Sequence, residues 1–176
     1  MTAPRNIFLI GPMGSGKTAV GKQIARLLRF PFIDSDREIE AHTGADIALI
    51  FEREGEVGFR KREREAIAEL TSRSGVVLAT GGGAVLDAGN RRLLAERGWV
   101  VYLETSVAQQ AERAGRSSHR PLLIGADPQR RLEELMRVRE PLYREIANFI
   151  ATTTRKRVNP VAERIVQAYQ ASNAQP

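Results

Sequence analysis

The sequence predicts an α/β protein in three layers, a central five-stranded parallel sheet with helices on both faces, and three observations predict it. Short apolar runs alternate with longer amphipathic stretches along the whole chain. The 176 residues suffice for a single domain with a real core, 1–176, and no linker, repeat or low-complexity segment divides them. The first apolar run leads directly into Gly11-Pro12-Met13-Gly14-Ser15-Gly16-Lys17-Thr18 and then an amphipathic helix, the strand, loop and helix order of a P-loop sandwich.

Each element has its own local reason. Ile7-Phe8-Leu9-Ile10 is apolar throughout, as a strand covered on both faces requires. Val20, Ile24, Leu27 and Leu28 then recur at helical spacing. Phe30-Pro31-Phe32-Ile33 reads as a short second strand, and Asp34-Ser35-Asp36 opens a helix carrying Ile39. Helical stretches follow at about 37–42, 47–54 and 59–72, broken by Thr43-Gly44 and by Gly55. Val76-Val77-Leu78-Ala79 is the third strand and ends at Thr80-Gly81-Gly82-Gly83. A helix near 87–97, a strand at Val100-Val101-Tyr102-Leu103 and a helix near 107–113 continue the alternation. Residues 113–127, rich in Gly, Ser, Arg and Pro, read as a mobile loop; after it come a long helix at about 128–147, a strand at Phe149–Thr152 and a closing helix at about 161–171. In such a fold, ligands are expected at the carboxyl ends of the strands.

Composition narrows the class. With 42% hydrophobic and 27% charged residues, the chain has no run approaching the roughly 18 apolar residues of a membrane span. Its first strand is too short for a signal-peptide core, so a cytoplasmic location is expected. No cysteine is present, and His42 and His119 stand alone, which excludes a disulfide framework, a thiolate nucleophile and a Cys/His metal site. The net charge of +6 is mostly arginine, since lysine occurs only as Lys17, Lys22, Lys61 and Lys156. Arginine suits bidentate capture of phosphate and carboxylate. Its spread along the chain, without a basic tail, points to small anionic molecules rather than nucleic acid. No heptad pattern appears, and a monomer is expected.

The glycine-rich loop identifies a user of a nucleoside triphosphate with Mg²⁺. Its glycines turn backbone N–H groups toward the phosphates, Lys17 reaches the β/γ oxygens and Thr18 Oγ1 can ligate magnesium. The third strand ends in Thr80 rather than in an acid, which leaves Asp34 as the candidate to hold the metal through water. Asp34 and Asp36, two apart, would face the same way on extended backbone; Asp-Ser-Asp before a helix is equally a good N-cap. Three consecutive glycines let a ligand approach main-chain donors, unless they are a plain turn.

Taken together and in order, Gly11 to Thr18, Asp34-Ser35-Asp36, Gly55-Glu56-Val57-Gly58-Phe59-Arg60, Thr80-Gly81-Gly82-Gly83, Arg120-Pro121-Leu122-Leu123 and Arg139-Glu140-Pro141-Leu142-Tyr143 resemble the shikimate kinase family over nearly the whole chain. That resemblance implies a fold like nucleoside-monophosphate kinases and transfer of the ATP γ-phosphoryl group to the 3-hydroxyl of shikimate, in aromatic amino-acid biosynthesis. It further implies that Gly14, Ser15, Gly16, Lys17, Thr18 and Ala19 bind nucleotide, with Arg113 against the adenine and Arg157 near it. The helical region at about 34–62 takes shikimate: Arg60, oriented by Glu63, and Arg139 take its carboxylate, Asp36 its hydroxyls and the proton of the attacking one, and Gly82, shaped by Gly81 and Gly83, offers a backbone donor. Phe51 and Phe59 match apolar walls. Residues 113–127 match a lid whose Arg120 closes over the phosphates, making Lys17, Asp36 and Arg120 the catalytic set. Thr154 and the basic run Arg155-Lys156-Arg157 depart from the family pattern at the adenine loop, 153–160. Two other readings are a gluconate-type sugar-acid kinase and a ligand-sensing domain of a transcription regulator. The set Asp36, Arg60, Gly82 and Arg139 argues against the first, and the lack of room for a DNA-binding module before the first strand argues against the second.

Overall fold

The computed structural model describes residues 5–114, 127–153 and 157–174. Its strands β1 (Asn6–Ile10), β2 (Phe32–Asp34), β3 (Val77–Ala79), β4 (Gly98–Glu104) and β5 (Phe149–Thr152) form one parallel sheet in the order β2-β3-β1-β4-β5. The helices are α1 (Lys17–Leu28), α2 (Ser35–Thr43), α3 (Ile47–Leu70), α4 (Ala88–Arg97), α5 (Val107–Ala114), α6 (Pro128–Ile146) and α7 (Val158–Asn173). No described helix is long and apolar enough to cross a membrane.

The unbroken apolar run of β1 has a direct cause. Ile7 and Leu9 join the core under α1 and α7, while Phe8 and Ile10 join the core under α3, α4 and α6. All four are completely buried, as a central strand between two helical layers demands. α1 packs so closely on this sheet that a methyl group on Gly21 would overlap the Phe32 ring and lie 2.9 Å from Leu9 Cδ1. Gly21→Ala is therefore expected to destabilise the fold by about 1–2 kcal/mol, overpacking outweighing the helix propensity gained. A denaturation midpoint equal to or above that of the parent chain would contradict this packing.

Several boundaries differ from the sequence expectation. α2 begins at Ser35 directly after β2, so Asp36 lies in a helical turn and the extended-backbone argument for the two aspartates does not hold. The stretches expected at 47–54 and 59–72 are one assigned helix, α3, kinked at Gly55, whose φ of 68° and ψ of −176° only glycine adopts freely. Helix α7 starts three residues before the expected 161, with Pro160 in its first turn, where the missing N–H costs no helical bond. α2 and the first part of α3 stand on a small apolar cluster of their own, Ile39, Ile50 and Phe59 with Ile47 and Phe51 against them.

The register aligns Leu9, Ala79 and Asp34 across three neighbouring strands. The loop after β1, the glycines after β3 and the aspartates after β2 consequently emerge at one edge of the sheet, beside the point where chain order reverses.

Candidate active site

Leaving β1, the chain turns through Gly11 (φ 146°), Gly14 (φ 75°) and Gly16 (φ 90°), conformations that a side chain would strain. Lys17 Nζ lies over this turn, donating to the carbonyls of Gly11 and Pro12 at 2.8 Å each. Ser15 is fully buried beneath it and donates its N–H to Pro12 O at 3.3 Å. Ala19 is exposed on the first turn of α1. Arg113, near the end of α5, donates to Gly14 O, which brings it to the nucleotide loop. Arg157 stands exposed at the N-cap of α7 with φ 71°, away from the residues that line the cavity below. Arg120, most of 113–127, and Thr154, Arg155 and Lys156 lie outside the described residues.

Asp34 serves two helices at once. One carboxylate oxygen caps α2, accepting from the N–H groups of Asp36 (3.1 Å) and Arg37 (3.4 Å), while the other accepts the Thr18 hydroxyl at 3.0 Å. The capping reading thus holds, and the second oxygen is paired with the Thr18 hydroxyl. Asp36, on the first turn of α2, points inward: its Oδ1 is buried without a hydrogen-bond partner. Burial, reinforced by Glu63, Asp34 and Glu40 and opposed by Lys17, pushes its carboxyl up to about 7.

The turn after β3 explains why three glycines follow one another. None of them has positive φ; Gly81 and Gly83 are instead pressed by charged side chains, and Gly82 most closely by the backbone nitrogen of Met13, 3.3 Å from where a methyl group would stand. A methyl group on Gly81 would lie 2.8 Å from Glu63 Oε1 and 2.9 Å from Asp36 Oδ1, one on Gly82 would lie 3.5 Å from Arg139 Nη1, and one on Gly83 would overlap the Arg60 guanidinium. Gly83→Ala is thus expected to displace Arg60 while leaving the fold intact, since the flexible end of the arginine can move. A crystal structure of the variant with Arg60 undisturbed would contradict this.

Arg60 is held from both sides by the helix that bears it, with Glu63 at 2.7 Å and Glu56 at 3.1 Å. Burial pushes the Glu63 carboxyl up, and Arg60 and Arg139 pull it back. Arg139 is placed differently. It is buried on α6, forms no salt bridge among the described residues, and leaves Nε without a partner. Burial, then the nearby charge of Arg60, moves its pKa below the usual arginine range, against the help of Tyr143 and Glu63. A buried guanidinium without an acidic partner is costly unless an anion joins it.

These groups surround one cavity of about 400 Å³, whose lining includes Lys17, Thr18, Asp34, Asp36, Arg60, Gly81, Gly82, Gly83 and Arg139. Phe59 is buried and Phe51 half-buried against it, with ring centroids 4.7 Å apart, so both form core and wall together. Two residues that sequence reasoning gave no role support the turn: Ser35 Oγ accepts from Gly81 N–H at 3.1 Å, and Tyr143 Oη donates to Gly82 O at 2.5 Å. The only hints in the sequence are that Tyr143 lies one helical turn beyond Arg139 and Ser35 between the two aspartates.

Residues 13–170 match the family model for shikimate kinase. A shikimate kinase of Methylococcus capsulatus is 54% identical over 168 residues, covering 96% of this chain and 94% of its own length. The structure of shikimate kinase from Acinetobacter baumannii in complex with shikimate superposes with a TM-score of 0.94 at 50% identity, covering 98% of this chain and 96% of that one. A gluconokinase from Sinorhizobium meliloti shares the fold alone, with a TM-score of 0.62 at 20% identity, 99% of this chain and 96% of that one being covered.

Proposed function

The chain belongs to the shikimate kinase family, and we propose from that premise how its own residues move the γ-phosphoryl group of ATP to the 3-hydroxyl of shikimate. The observation that carries the reading is the buried Arg139, without a salt bridge among the described residues, in the same cavity as the phosphate loop and Asp36. An acceptor there needs a carboxylate for the arginines and hydroxyls for the aspartate, and shikimate has both.

Gly14, Ser15, Gly16 and Lys17 cradle the phosphates, with Ala19 next to them on α1 and Arg113 and Arg157 on the adenine side. The Thr18 hydroxyl and Asp34, 3.0 Å apart, fit Mg²⁺ as hard oxygen donors, Asp34 acting through water. When bound, magnesium offsets charge on the phosphate oxygens. Arg60 and Arg139 hold the shikimate carboxylate, and Gly82, between Gly81 and Gly83, offers its N–H. Asp36 takes the proton of the 3-hydroxyl as its oxygen bonds to the γ-phosphorus and the bond from that phosphorus to the ADP oxygen breaks. Lys17, and by the sequence resemblance Arg120, stabilise the charge that develops. We read 1–176 as one domain with its acceptor region at about 34–62 and its lid at about 113–127.

We read the protein as a monomer acting on small molecules, without nucleic acid or membrane. A cytoplasmic location suits its need for ATP. ADP release with Mg-ATP should appear with shikimate and stay at background with gluconate or with no acceptor. Release with gluconate alone would assign Arg60, Arg139 and Asp36 to a different acid. Arg60→Ala should raise the KM for shikimate at least tenfold and that for ATP less than twofold, because a carboxylate loses one of its two guanidinium partners. Equal changes in both constants would put Arg60 outside the acceptor site.

A further inference from the structure

We propose that Ser35 and Tyr143 are positioning residues that clamp the glycine turn from its two sides and so set how tightly the acceptor is held. The inference rests on the acceptor reading above, since it concerns the same cavity.

Residues Gly81, Gly82 and Gly83 have no side chains with which to hold their own peptide planes. Three carbonyls and one N–H of the turn are tied down, and each by a different group. Gly81 O accepts from Ala84 N–H at 3.1 Å and Gly83 O from Leu86 N–H at 3.0 Å, which winds the turn into the short helix at Ala84–Leu86. The two remaining bonds come from far away in sequence: Tyr143 Oη to Gly82 O at 2.5 Å, and Gly81 N–H to Ser35 Oγ at 3.1 Å. Among the described residues, the N–H groups of Gly82 and Gly83, which line the cavity, have no protein partner. All three carbonyls and one amide of the turn are thus tied to protein, and the amides of Gly82 and Gly83 are left for a ligand.

Both hydroxyls are built in. Ser35 and Tyr143 are completely buried, Ser35 at the start of α2 and Tyr143 on α6. The Tyr143 ring stacks on Tyr102, centroids 5.0 Å apart and planes 22° from parallel, which fixes the direction of its hydroxyl. Arg139 lies one turn earlier on the same helix, near enough for Tyr143 to act on its guanidinium. Without the hydroxyl, the carbonyl of the half-buried Gly82 would lose its donor, and the peptide would be free to rotate to find another, taking its amide out of line. Donors preorganised in this way bind without first having to be ordered.

Tyr102 provides the control. Its hydroxyl is equally buried, belongs to the same stacked pair and has no hydrogen-bond partner, so its loss tests burial and stacking without touching the turn. In steady-state kinetics with both substrates varied, Tyr143→Phe should raise the KM for shikimate about tenfold and leave the KM for ATP within twofold, a loss of the size expected for one unsatisfied buried group. Calorimetric titration of the intact chain with shikimate should show the same weakening. Ser35→Ala should act in the same direction and carries the test if Tyr143→Phe does not fold. The two changes combined should cost less than the product of their separate effects, because they act on one turn. Tyr102→Phe should change neither constant. The proposal is overturned if both hydroxyl variants keep the parental shikimate KM, if the two KM values rise together, or if Tyr102→Phe reproduces the loss. A parent chain inactive with shikimate would overturn the functional reading as well; an active parent with unaffected variants would overturn the clamp alone.

Discussion

Asp36→Asn is expected to lower turnover by about three orders of magnitude, leave ATP binding nearly intact and raise the stability of the fold at pH 8. The loss of turnover follows from removing the group that takes the proton of the attacking hydroxyl. The gain in stability follows from where that group sits. Asp36 Oδ1 is buried without a partner, and burial, with Glu63, Asp34 and Glu40 behind it, pushes the carboxyl from 3.8 to about 7. An unfolded chain gives up this proton near pH 4, while the folded chain keeps it until about pH 7. Across that window the folded state holds more protons, so this residue's contribution to stability falls as pH rises and stays at its low value above both. The full difference is on the order of a few kcal/mol. Asparagine carries no charge and has no such slope. The variant should therefore melt above the parent at pH 8, and the gap should narrow at pH 5. In the parent, turnover should rise with pH through the neutral region as the carboxylate ionises. Near-native turnover in the variant would remove Asp36 as the base, and melting curves that coincide at pH 8 would mean its carboxyl is not raised.

Arg139→Met should raise the KM for shikimate by two to three orders of magnitude without loss of stability. Breaking a hydrogen-bonded, desolvated charge pair typically costs about 2–5 kcal/mol, and the ligand carboxylate would lose its more deeply buried partner. Arg139 is only 3% exposed, against 19% for the Arg60 side chain, and it forms no salt bridge among the described residues, while Glu63, in direct contact with Arg60, acts on Arg139 without touching it. Arg60 has two glutamates in contact with it; the carboxylate of the ligand would give Arg139 its own contacting counter-charge. Replacing it by an apolar side chain of similar length removes a buried, unpaired charge, which is neutral or stabilising in the free protein. Melting temperature and shikimate KM should thus move independently. A variant that lost stability in parallel with affinity would make Arg139 a structural residue.

Where sequence reasoning succeeded, the cause of the structure is local. The apolar run of β1, the glycines at positive φ around the phosphates, the N-cap at Asp34 and the break at Gly55 are each decided within a few residues, by burial on two faces, by the absence of a Cβ or by a short polar side chain. Of the candidate site, Lys17 and Thr18 could be read from a contiguous glycine-rich motif, whereas Arg60 and Arg139 were reached only through the family resemblance, because an arginine on a helix carries no local sign of what it binds. What those residues experience was not legible. Strand order, with β3 inserted between β1 and β2, brings Glu63 to Asp36 and Arg60 to Gly83. The raised Asp36 carboxyl, the burial of Arg139 and the hydroxyls of Ser35 and Tyr143 on the glycine turn all arise between segments tens of residues apart. By itself the sequence determined which chemical groups the protein carries and the local backbone that presents them. Only the tertiary structure decided their protonation, their partners and their order, because burial and Coulomb interactions depend on distance in space and leave no periodic mark along the chain.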